Sequence, residues 1–418
     1  MVARAILFGS YDNLFIRLFI YLHILLLEEC TNMKKIAFIH DIFPIGGAER
    51  ITLDICNYLY SNSPDYRCYV FATKFDEESL SKRLLGKIET RQIPRKAERS
   101  EAVERLIVEE GINLVVLVVR PLADIKGIAE RTGCKVLFAN HGEPFWQRYS
   151  IIKEQKRKLF NRLFWHFGIG RKFIESGKAL AMAVEQTREH YNCCDAYTVL
   201  CDGYRQAISE TLGLNADESK IHAIENSERI VDNVTYEKEK IIMYCGRLFN
   251  NTKRLDRLIR IWEKVQHRLP DYRLQLVGDG RYARTIKREI AKKKLQRIEL
   301  LGWQPDVEQF FRKASIVCLT SQTEGWPLSL TEAQAHGCIP VAFGCTDGVK
   351  DILSPSGING FVVTPFDEDE YAETLVKIAG MSDDERLAIR KSAVAKRARY
   401  SPEFILGKWK KLFDDLLK

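Results

Sequence analysis

The stretch TEGWPLSLTEAQAHGCIPVAFG, residues 323–344, places two glutamates on either side of a Trp-Pro pair. Pro327 fixes its own φ and biases the residue before it away from helix. We therefore expect Glu324 in a loop and Glu332 inside a helix that begins after Pro327 and ends near Gly337. The apolar run that follows predicts a strand. Because half-buried carboxylates are costly unless paired, two of them directed at one place indicate a ligand rich in hydroxyl groups.

Outward from this stretch, apolar runs alternate with helical patterns in two series. The first series predicts strands at KIAFIH, RCYVFAT, NLVVLVV, KVLFANH and AYTVLCD. The second series predicts strands at KIIMYCGRL, YRLQLVGDG, IELLG, SIVCLTS and IPVAFG. Continuous apolar strands separated by helices are typical of parallel sheets covered on both faces. The sequence thus predicts an α/β fold with two Rossmann-like doubly wound domains, and a central cleft faced by the carboxyl ends of both sheets.

The chain of 418 residues is too long for one ordinary core and suits two domains. The polar stretch Glu225–Lys240 lacks periodicity and is the best candidate for a linker. The predicted parts are an extension, a first domain, a second domain and a C-terminal helix that packs back on the first domain: 1–32, 33–230, 231–400 and 401–418.

Residues 1–32 contain the apolar run Leu14–Leu27, which is interrupted by Arg17 and His23 and is short for a membrane span. Three interpretations are open. A start codon assigned too far upstream, with Met33 as the true start, is favoured. A weak membrane anchor is second, and a cleaved signal peptide is third because no small-residue cleavage site follows.

Composition describes a folded protein, with 46% hydrophobic and 29% charged residues. The net charge of +8 permits an acidic partner such as a nucleotide, a phosphorylated lipid or an anionic membrane face, and no motif indicates nucleic acid. The eleven cysteines form no CxxC pair, so we interpret them as buried free thiols rather than zinc ligands. This usage predicts a cytoplasmic protein.

The segment 151–173 departs from the alternating rhythm. It carries seven lysines and arginines against one glutamate, with aromatic residues interleaved. Such a helix can lie in a membrane interface, and we favour peripheral contact with the inner face of an anionic membrane. An ordinary helix that packs its aromatic residues on the first sheet remains the alternative.

Two cations follow the first strand of the second series. Arg247 comes directly after KIIMYCG, and Lys253 lies in the loop that follows. Arginine offers a planar fork and lysine a point charge, and together they suit a diphosphate. Either residue alone could be a surface charge at a helix start, but the helix dipole disfavours cations there.

From about Lys34 to its C-terminus, the chain resembles retaining glycosyltransferases of family 4, the glycosyl transferases group 1, which have the GT-B fold. The resemblance is carried by GRL followed by a lysine, by LVGDG, and by EGWPLSLTEA with seven residues between its glutamates. GGAER in the first domain and NGFVV near the end of the second also match.

The resemblance implies a nucleotide-diphosphate sugar, with UDP or GDP, as donor. Glu332 would hold the ribose hydroxyls and Glu324 the hydroxyls of the transferred sugar. Arg247 and Lys253 would neutralise the diphosphate, and His141 would hydrogen-bond the sugar. The resemblance further implies donor contacts from Gly46, Gly47, Asn226, Gly325, Trp326, Pro327 and Leu328. The residues after Asn226, SERI, depart from the family pattern.

The implied reaction moves a sugar to a hydroxyl of a saccharide or lipid-linked saccharide with retention of configuration, in the synthesis of capsule, O-antigen or exopolysaccharide. Cationic side chains take the place of a metal in this interpretation, so we expect neither a metal nor another cofactor. Alternatives are a nucleotide-sugar epimerase on the same scaffold and a non-catalytic sugar- or lipid-binding scaffold. The run GDGRYA could also suggest a dinucleotide-binding oxidoreductase, but we expect a simple strand-to-helix turn there. Trp303 is expected in the core, with a wall of the base pocket as the alternative.

Overall fold

The computed structural model describes residues 33–83, 88–95, 98–118, 122–157, 172–173, 176–215 and 219–418. The extension 1–32 and most of the basic segment 151–173 lie outside the described residues. The interpretations of both segments therefore stay predictions.

The first sheet has seven strands, predominantly of buried apolar residues. They are β1 (Lys34–Phe43), β2 (Tyr66–Phe75), β3 (Glu89–Gln92), β4 (Leu114–Val118), β5 (Lys135–Ala139), β6 (Ala196–Val199) and β7 (Ile221–Ala223). Their order across the sheet is β3-β2-β1-β4-β5-β6-β7. β1 pairs in parallel with β2 and with β4, and β6 pairs in parallel with β5 and β7. The predicted parallel sheet is therefore confirmed.

The second sheet has six strands. They are β8 (Glu239–Cys245), β9 (Arg273–Val277), β10 (Ile298–Gly302), β11 (Ala314–Leu319), β12 (Ile339–Phe343) and β13 (Phe361–Val363). The order is β10-β9-β8-β11-β12-β13, with parallel pairing throughout. β8 and β11 are neighbours, so the loops that follow them leave the same edge of the sheet side by side.

Helices connect the strands. In the first half they are α1 (Gly47–Asn62), α2 (Glu77–Arg83), α3 (Arg99–Glu110), α4 (Ile125–Thr132), α5 (Gln147–Arg157), α6 (Lys178–Asn192) and α7 (Asp202–Leu212). In the second half they are α8 (Asn250–Lys253), α9 (Leu255–Val265), α10 (Ala283–Lys293), α11 (Glu308–Lys313), α12 (Leu328–Ala335), α13 (Asp347–Leu353), α14 (Glu368–Gly380), α15 (Asp383–Lys396) and α16 (Pro402–Leu416). None of the helices within the described ranges is long and apolar enough to cross a membrane.

Contacts between Cα atoms divide the chain into two compact units. The first contains the described residues up to Leu117, together with 122–136 and 417–418, and the second contains Val118 and residues 137–416. The second sheet and both predicted glutamates lie in the second unit. The domain boundaries at 230 and 400 stay predictions.

Helix α9 anchors the second sheet beside the predicted cations. Leu255, Leu258, Ile259 and Trp262 are each at most 2% exposed and belong to one apolar cluster with strands of the sheet. Complete burial of such side chains contributes about 1.5–3 kcal/mol each. The Trp262 indole N–H donates a hydrogen bond to Gln296 O at 2.9 Å, so its polar atom is also satisfied. Lys253, predicted in a loop, is instead the last residue of the short helix α8, which directly precedes this rigid support.

The prediction that Trp303 lies in the core is wrong, because this side chain is 72% exposed. It follows β10, which is the edge strand of the second sheet. A residue beyond an edge strand has no neighbouring strand to cover it, which the local sequence pattern does not reveal.

One half-buried histidine gives the fold a predicted pH dependence. His190 of α6 stacks on Phe138 of β5, with ring centroids 4.7 Å apart. Burial lowers the pKa of His190 to about 4. In the unfolded chain its pKa is about 6.5. As the pH falls from about 6.5 towards 4, His190 is protonated in the unfolded chain but stays neutral in the folded chain. The free energy of unfolding therefore decreases in that pH range.

We expect His190→Phe, which keeps a stacked ring but cannot titrate, to remove this contribution. Between pH 7 and pH 4.5 the free energy of unfolding of the natural protein should fall by about 2–3 kcal/mol more than that of the variant. Urea unfolding at the two pH values measures the difference. Equal losses in both proteins would show that His190 is not held neutral.

Candidate functional site

A lysine–glutamate pair lies where the loops after β8 and β11 meet. Lys253 Nζ donates a hydrogen bond to Glu324 Oε1 at 2.7 Å, and the Ser321 hydroxyl donates to the same oxygen. Only 22% of the lysine and 11% of the glutamate side-chain surface is exposed. At this burial each charge offsets the desolvation cost of the other. The structure thus brings together two residues that the sequence placed 71 positions apart.

Hydrogen bonds hold the two loops against each other. Gln322 N donates to Thr252 O at 2.6 Å, and the Thr320 hydroxyl donates to Lys253 O at 3.4 Å. Arg257, a buried residue of α9, donates from its Nη2 to Gln322 Oε1 at 2.6 Å. Because backbone and side chain both participate, the ion pair is fixed before any ligand arrives.

Arg247 lies in the loop directly after β8 and is exposed. The Tyr244 hydroxyl donates a hydrogen bond to Arg247 O at 3.0 Å. Burial is the main cause that raises the pKa of Tyr244, Glu324 raises this pKa further, and Arg247 lowers it. The predicted cation and the predicted acid therefore both act on the Tyr244 side chain.

Two glycines after β9 pack closely against the backbone on either side of Arg247. A Cβ on Gly278 would lie 2.0 Å from Gly246 O, and a Cβ on Gly280 would lie 2.4 Å from Leu248 O. Leu248 N also donates a hydrogen bond to Asp279 O at 2.9 Å. The run GDG between β9 and α10 is the predicted strand-to-helix turn. Its glycines are required by close backbone approach, which is a packing reason independent of any dinucleotide.

Arg247 and Lys253 line a single cavity of about 650 Å³. Small-molecule sites commonly occupy about 300–1,000 Å³. The other lining residues are Tyr149, Ser150, Ile152, Lys153, Lys156, Phe249, Asn251, Thr252, Gln322 and Thr323. Within the described part of the chain, the wall therefore has four basic side chains and no carboxylate. Its field favours an anionic ligand.

Glu332 is half-buried on α12, inside a helix as predicted. Burial and then the Glu332 charge raise the pKa of Cys245, the last residue of β8, to about 12. This second acid is therefore close to the strand end from which the Arg247 loop leaves. The helix ends as predicted, with Gly337 in the left-handed region at φ 70°.

A third carboxylate was missed by the sequence analysis. Glu228 is only 3% exposed, and its Oε2 accepts a hydrogen bond from the Thr331 hydroxyl at 2.6 Å. Thr331 precedes Glu332 on α12, so Glu228 fastens the chain after Asn226 to the helix that carries the second acid. Asn226 itself is 6% exposed. The signal was present in SERI, where a charged residue stands in a stretch that departs from the family pattern.

The backbone around Gly325 is crowded on two sides. A Cβ on this residue would lie 2.2 Å from His141 O, so the predicted histidine loop and the predicted Glu324 loop touch through their main chains. The Tyr204 hydroxyl donates a hydrogen bond shared by Gly325 O at 2.9 Å and Glu324 O at 3.1 Å. Tyr204 was not predicted. It is 1% exposed and holds the loop that carries the first acid.

Trp326, Pro327 and Leu328, the other residues predicted in this stretch, lie in three different settings. Trp326 is 5% exposed and packs edge-on against Tyr400, with centroids 5.3 Å apart. Pro327 is the N-cap of α12, and Leu328 is the first helical residue. The indole therefore belongs to the protein interior, whereas the start of α12 presents backbone N–H groups. Direct donor contacts by these residues stay predictions.

Gly46 and Gly47 lie in the first unit, where Gly46 is the N-cap of α1 and Gly47 is its first residue. Gly46 has φ 137°, and a Cβ there would lie 2.2 Å from Glu49 Oε2. A larger residue is thus disfavoured by the backbone conformation, whereas the Glu49 carboxylate is the end of a flexible side chain and could move aside. Their predicted role toward the donor stays a prediction.

A metal site would require a cluster of ligating side chains. Across the described ranges, no three histidine, cysteine, aspartate or glutamate side chains are grouped as a metal site requires. The ten cysteines of these ranges are all free thiols. The groups that can meet a diphosphate are the cavity cations. That the reaction needs no metal stays a prediction.

One family model and several known proteins are similar to parts of this chain. The family model described as Glycosyl transferases group 1 matches residues 226–395. An uncharacterized glycosyltransferase of Haemophilus influenzae is 26% identical over 414 residues, which cover 90% of this chain and 99% of that protein. Lipopolysaccharide 1,6-galactosyltransferase of Salmonella typhimurium is 26% identical over 204 residues, which cover 46% of this chain and 55% of that protein. The match thus spans about half the length of the relative whose reaction is named.

The fold has solved counterparts. A crystal structure of HepE from Anabaena, in complex with UDP and glucose, superposes with a TM-score of 0.69 at 16% identity. The superposition covers 91% of this chain and all of HepE. Residues 226–395 therefore match the glycosyl transferases group 1 family model, and the chain has the GT-B fold.

Proposed function

We propose that this chain is a retaining glycosyltransferase that moves a sugar from a UDP-sugar to a hydroxyl of a saccharide acceptor, in the synthesis of a bacterial cell-surface polysaccharide. The observation that carries the proposal is the joint position of Arg247, Lys253 and Glu324. The two cations line one cavity, and the second cation is paired with the acid at 2.7 Å. The named activity of the Salmonella relative and the UDP and glucose bound by HepE support the class of donor and product.

The chemistry follows from charge placement. As the bond to the leaving diphosphate breaks, negative charge grows on the β-phosphate and positive charge grows at the anomeric carbon. Arg247 and Lys253 would stabilise the negative charge on the β-phosphate, and the Glu324 carboxylate would stabilise the positive charge at the anomeric carbon. Because the ion pair is already held by neighbouring loops, these groups need little reorganisation during the reaction. Glu332 would bind the ribose hydroxyls in both the ground state and the transition state.

A donor assay tests the proposal. The protein is incubated with UDP-glucose, UDP-galactose, UDP-N-acetylglucosamine and GDP-mannose, with and without a panel of saccharide acceptors, and released nucleotide diphosphate is measured. At least one UDP-sugar should yield UDP faster with acceptor, and NMR of the product should show the anomeric configuration of the donor.

Other outcomes contradict the proposal in distinguishable ways. A folded protein that binds a UDP-sugar without releasing UDP would be a binding scaffold. Interconversion of the sugar without transfer would indicate an epimerase. A product with inverted configuration would exclude retention while leaving sugar transfer intact.

A further inference from the structure

A chain of three polar side chains ends on the wall of the cavity. Glu143 is buried, and its Oε1 accepts a hydrogen bond from Arg148 Nη2 at 2.9 Å. The same guanidinium donates to the Tyr149 hydroxyl at 3.0 Å and to Pro144 O at 3.1 Å. Tyr149 is 39% exposed and lines the cavity that contains Arg247. The sequence analysis predicted none of these three side chains, and the proposed donor contacts use none of them.

Arg148 holds the phenol of Tyr149 in two ways. Besides donating the hydrogen bond, its guanidinium carbon Cζ lies 4.7 Å from the centroid of the Tyr149 ring, which is a cation–π contact. Because the phenol oxygen accepts from Arg148, the phenol proton points away from the guanidinium. Burial and then the Glu143 charge raise the pKa of Tyr149, so the hydroxyl stays protonated at neutral pH. Tyr149 therefore offers the cavity an O–H donor whose direction is restricted.

The loop that leads into this part of α5 is strained and tightly anchored. Phe145 is 8% exposed and has φ 58°, in the left-handed region that bulky side chains rarely adopt. Such a conformation persists where surrounding contacts over-determine it, and it is frequent at binding sites. Here Arg148 N donates to Phe145 O at 3.1 Å, and Asn140 N donates to Thr198 O of β6 at 3.0 Å. The backbone is thus held in the one conformation that starts α5 with Arg148 and Tyr149 at the cavity.

The ligand of this O–H group follows from what else the cavity must hold. In the proposed function, Arg247 and Lys253 meet the diphosphate, whereas Glu324 and His141 meet the donor sugar. The acceptor has no protein contact yet. Its reacting hydroxyl must come within about 3–3.5 Å of the anomeric carbon, so the acceptor enters the same cavity. A protonated phenol is suited to donate to a saccharide hydroxyl there.

We propose that Tyr149 donates a hydrogen bond to a hydroxyl of the acceptor saccharide, and that Arg148 and Glu143 position it. This inference rests on the proposed function, because it requires a sugar acceptor. It makes Tyr149 a residue that determines acceptor specificity and makes Arg148 and Glu143 positioning residues. A site built to hydrogen-bond a hydroxyl rejects an analogue that lacks it, since the phenol is then left unpaired.

Kinetics of Tyr149→Phe separate the acceptor from the donor. The acceptors are the methyl glycosides of glucose, galactose, mannose and N-acetylglucosamine, and the donors are the UDP-sugars named above. UDP release is measured with each acceptor and, as slow hydrolysis, without one. We expect kcat/KM for the acceptor to fall about 5- to 30-fold, because one hydrogen bond is lost. Hydrolysis and KM for the donor should change less than about 2-fold. An unchanged melting temperature shows that the fold is retained.

A double-mutant cycle tests whether Arg148 acts through Tyr149. Arg148→Lys keeps a positive charge opposite Glu143 but loses the planar fork that also reaches the phenol. It should lower kcat/KM for the acceptor about 3- to 10-fold alone, and less than about 2-fold when combined with Tyr149→Phe. Losses that multiply would show that Arg148 acts independently, and its positioning role would be overturned.

Deoxygenated acceptors identify the partner hydroxyl. One monodeoxy derivative of the reacting glycoside should react more slowly by about the same factor as the Tyr149→Phe loss, and it should suffer no further loss in that variant. If no derivative shows this coupling, the hydrogen bond to a hydroxyl is wrong. Tyr60 of α1 is exposed and does not line the cavity, so Tyr60→Phe is the matched control and should behave like the natural protein.

Each remaining outcome has a definite meaning. If Tyr149→Phe leaves kcat/KM for the acceptor unchanged, the inference is wrong while sugar transfer stands. If the variant slows hydrolysis or raises KM for the donor by the same factor, Tyr149 contacts the donor and the proposal is overturned. If no glycoside accelerates UDP release by the natural protein, the proposed function fails and this inference fails with it.

Discussion

Arg247→Ala is expected to lower kcat for sugar transfer by about 100- to 1,000-fold, because one preorganised donor to developing charge is lost. The affinity for UDP should weaken far less, about 3- to 10-fold. The reason is that the β-phosphate gains negative charge as the glycosidic bond breaks, so the guanidinium interacts more strongly in the transition state than in the ground state. Steady-state kinetics with saturating UDP-sugar, together with calorimetry of UDP, measure the two effects.

Two further variants make the result interpretable. Arg247→Lys keeps a charge but loses the planar fork, and it should recover part of kcat. Arg284 is exposed on α10 and does not line the cavity, so Arg284→Ala should behave like the natural protein. An Arg247→Ala enzyme with unchanged kcat and a raised KM would show that this residue serves ground-state binding alone.

The sequence predicted the architecture because the relevant signals are local. Apolar runs of strand length between helical patterns indicated both parallel sheets. The Trp326–Pro327 step separated a loop glutamate from a helical one, and Gly337 ended the helix, as the structure confirms. These features depend on the conformational preferences of single residues and their immediate neighbours.

The assembly of the site was not predictable in the same way. The pair between Lys253 and Glu324 depends on β8 and β11 being adjacent, which is a property of strand order. The buried Glu228 and Tyr204 each act on a segment more than 100 residues away. Such contacts leave no periodic signal in one sequence. Composition and spacing therefore identify the chemical groups, and sheet topology decides which of them meet.

The cavity lysines illustrate the same division. The sequence showed that the segment 151–173 is basic and aromatic, which favoured membrane contact. The described part of that segment contributes Lys153 and Lys156 to the cavity that contains Arg247. The charge run alone does not reveal that these two lysines line a cavity, because that depends on where α5 lies in the fold.

Glu324→Gln should lower kcat by about 100-fold or more. It removes the negative charge that would stabilise the positive charge growing at the anomeric carbon, and it also removes the ion-pair partner that orients Lys253. The amide is nearly isosteric, so the fold should be retained, and the melting temperature checks this. The effect on UDP affinity should be small, since the nucleotide contacts other groups.

Glu332→Gln is the matched comparison. The ribose contacts proposed for Glu332 would be equally strong in the ground state and the transition state, so this variant should raise KM for the donor about 10-fold and leave kcat nearly unchanged.

A double-mutant cycle decides whether the ion pair acts as one unit. Lys253→Met and Glu324→Gln should each be severely impaired, and the combined variant should be little worse than the poorer single variant, because either substitution already breaks the 2.7 Å pair. Glu332→Gln combined with Lys253→Met should instead show independent, multiplicative losses. If the Lys253 and Glu324 effects multiplied, the two side chains would serve the donor separately, and their contact in the free protein would be a resting arrangement that the bound sugar nucleotide breaks.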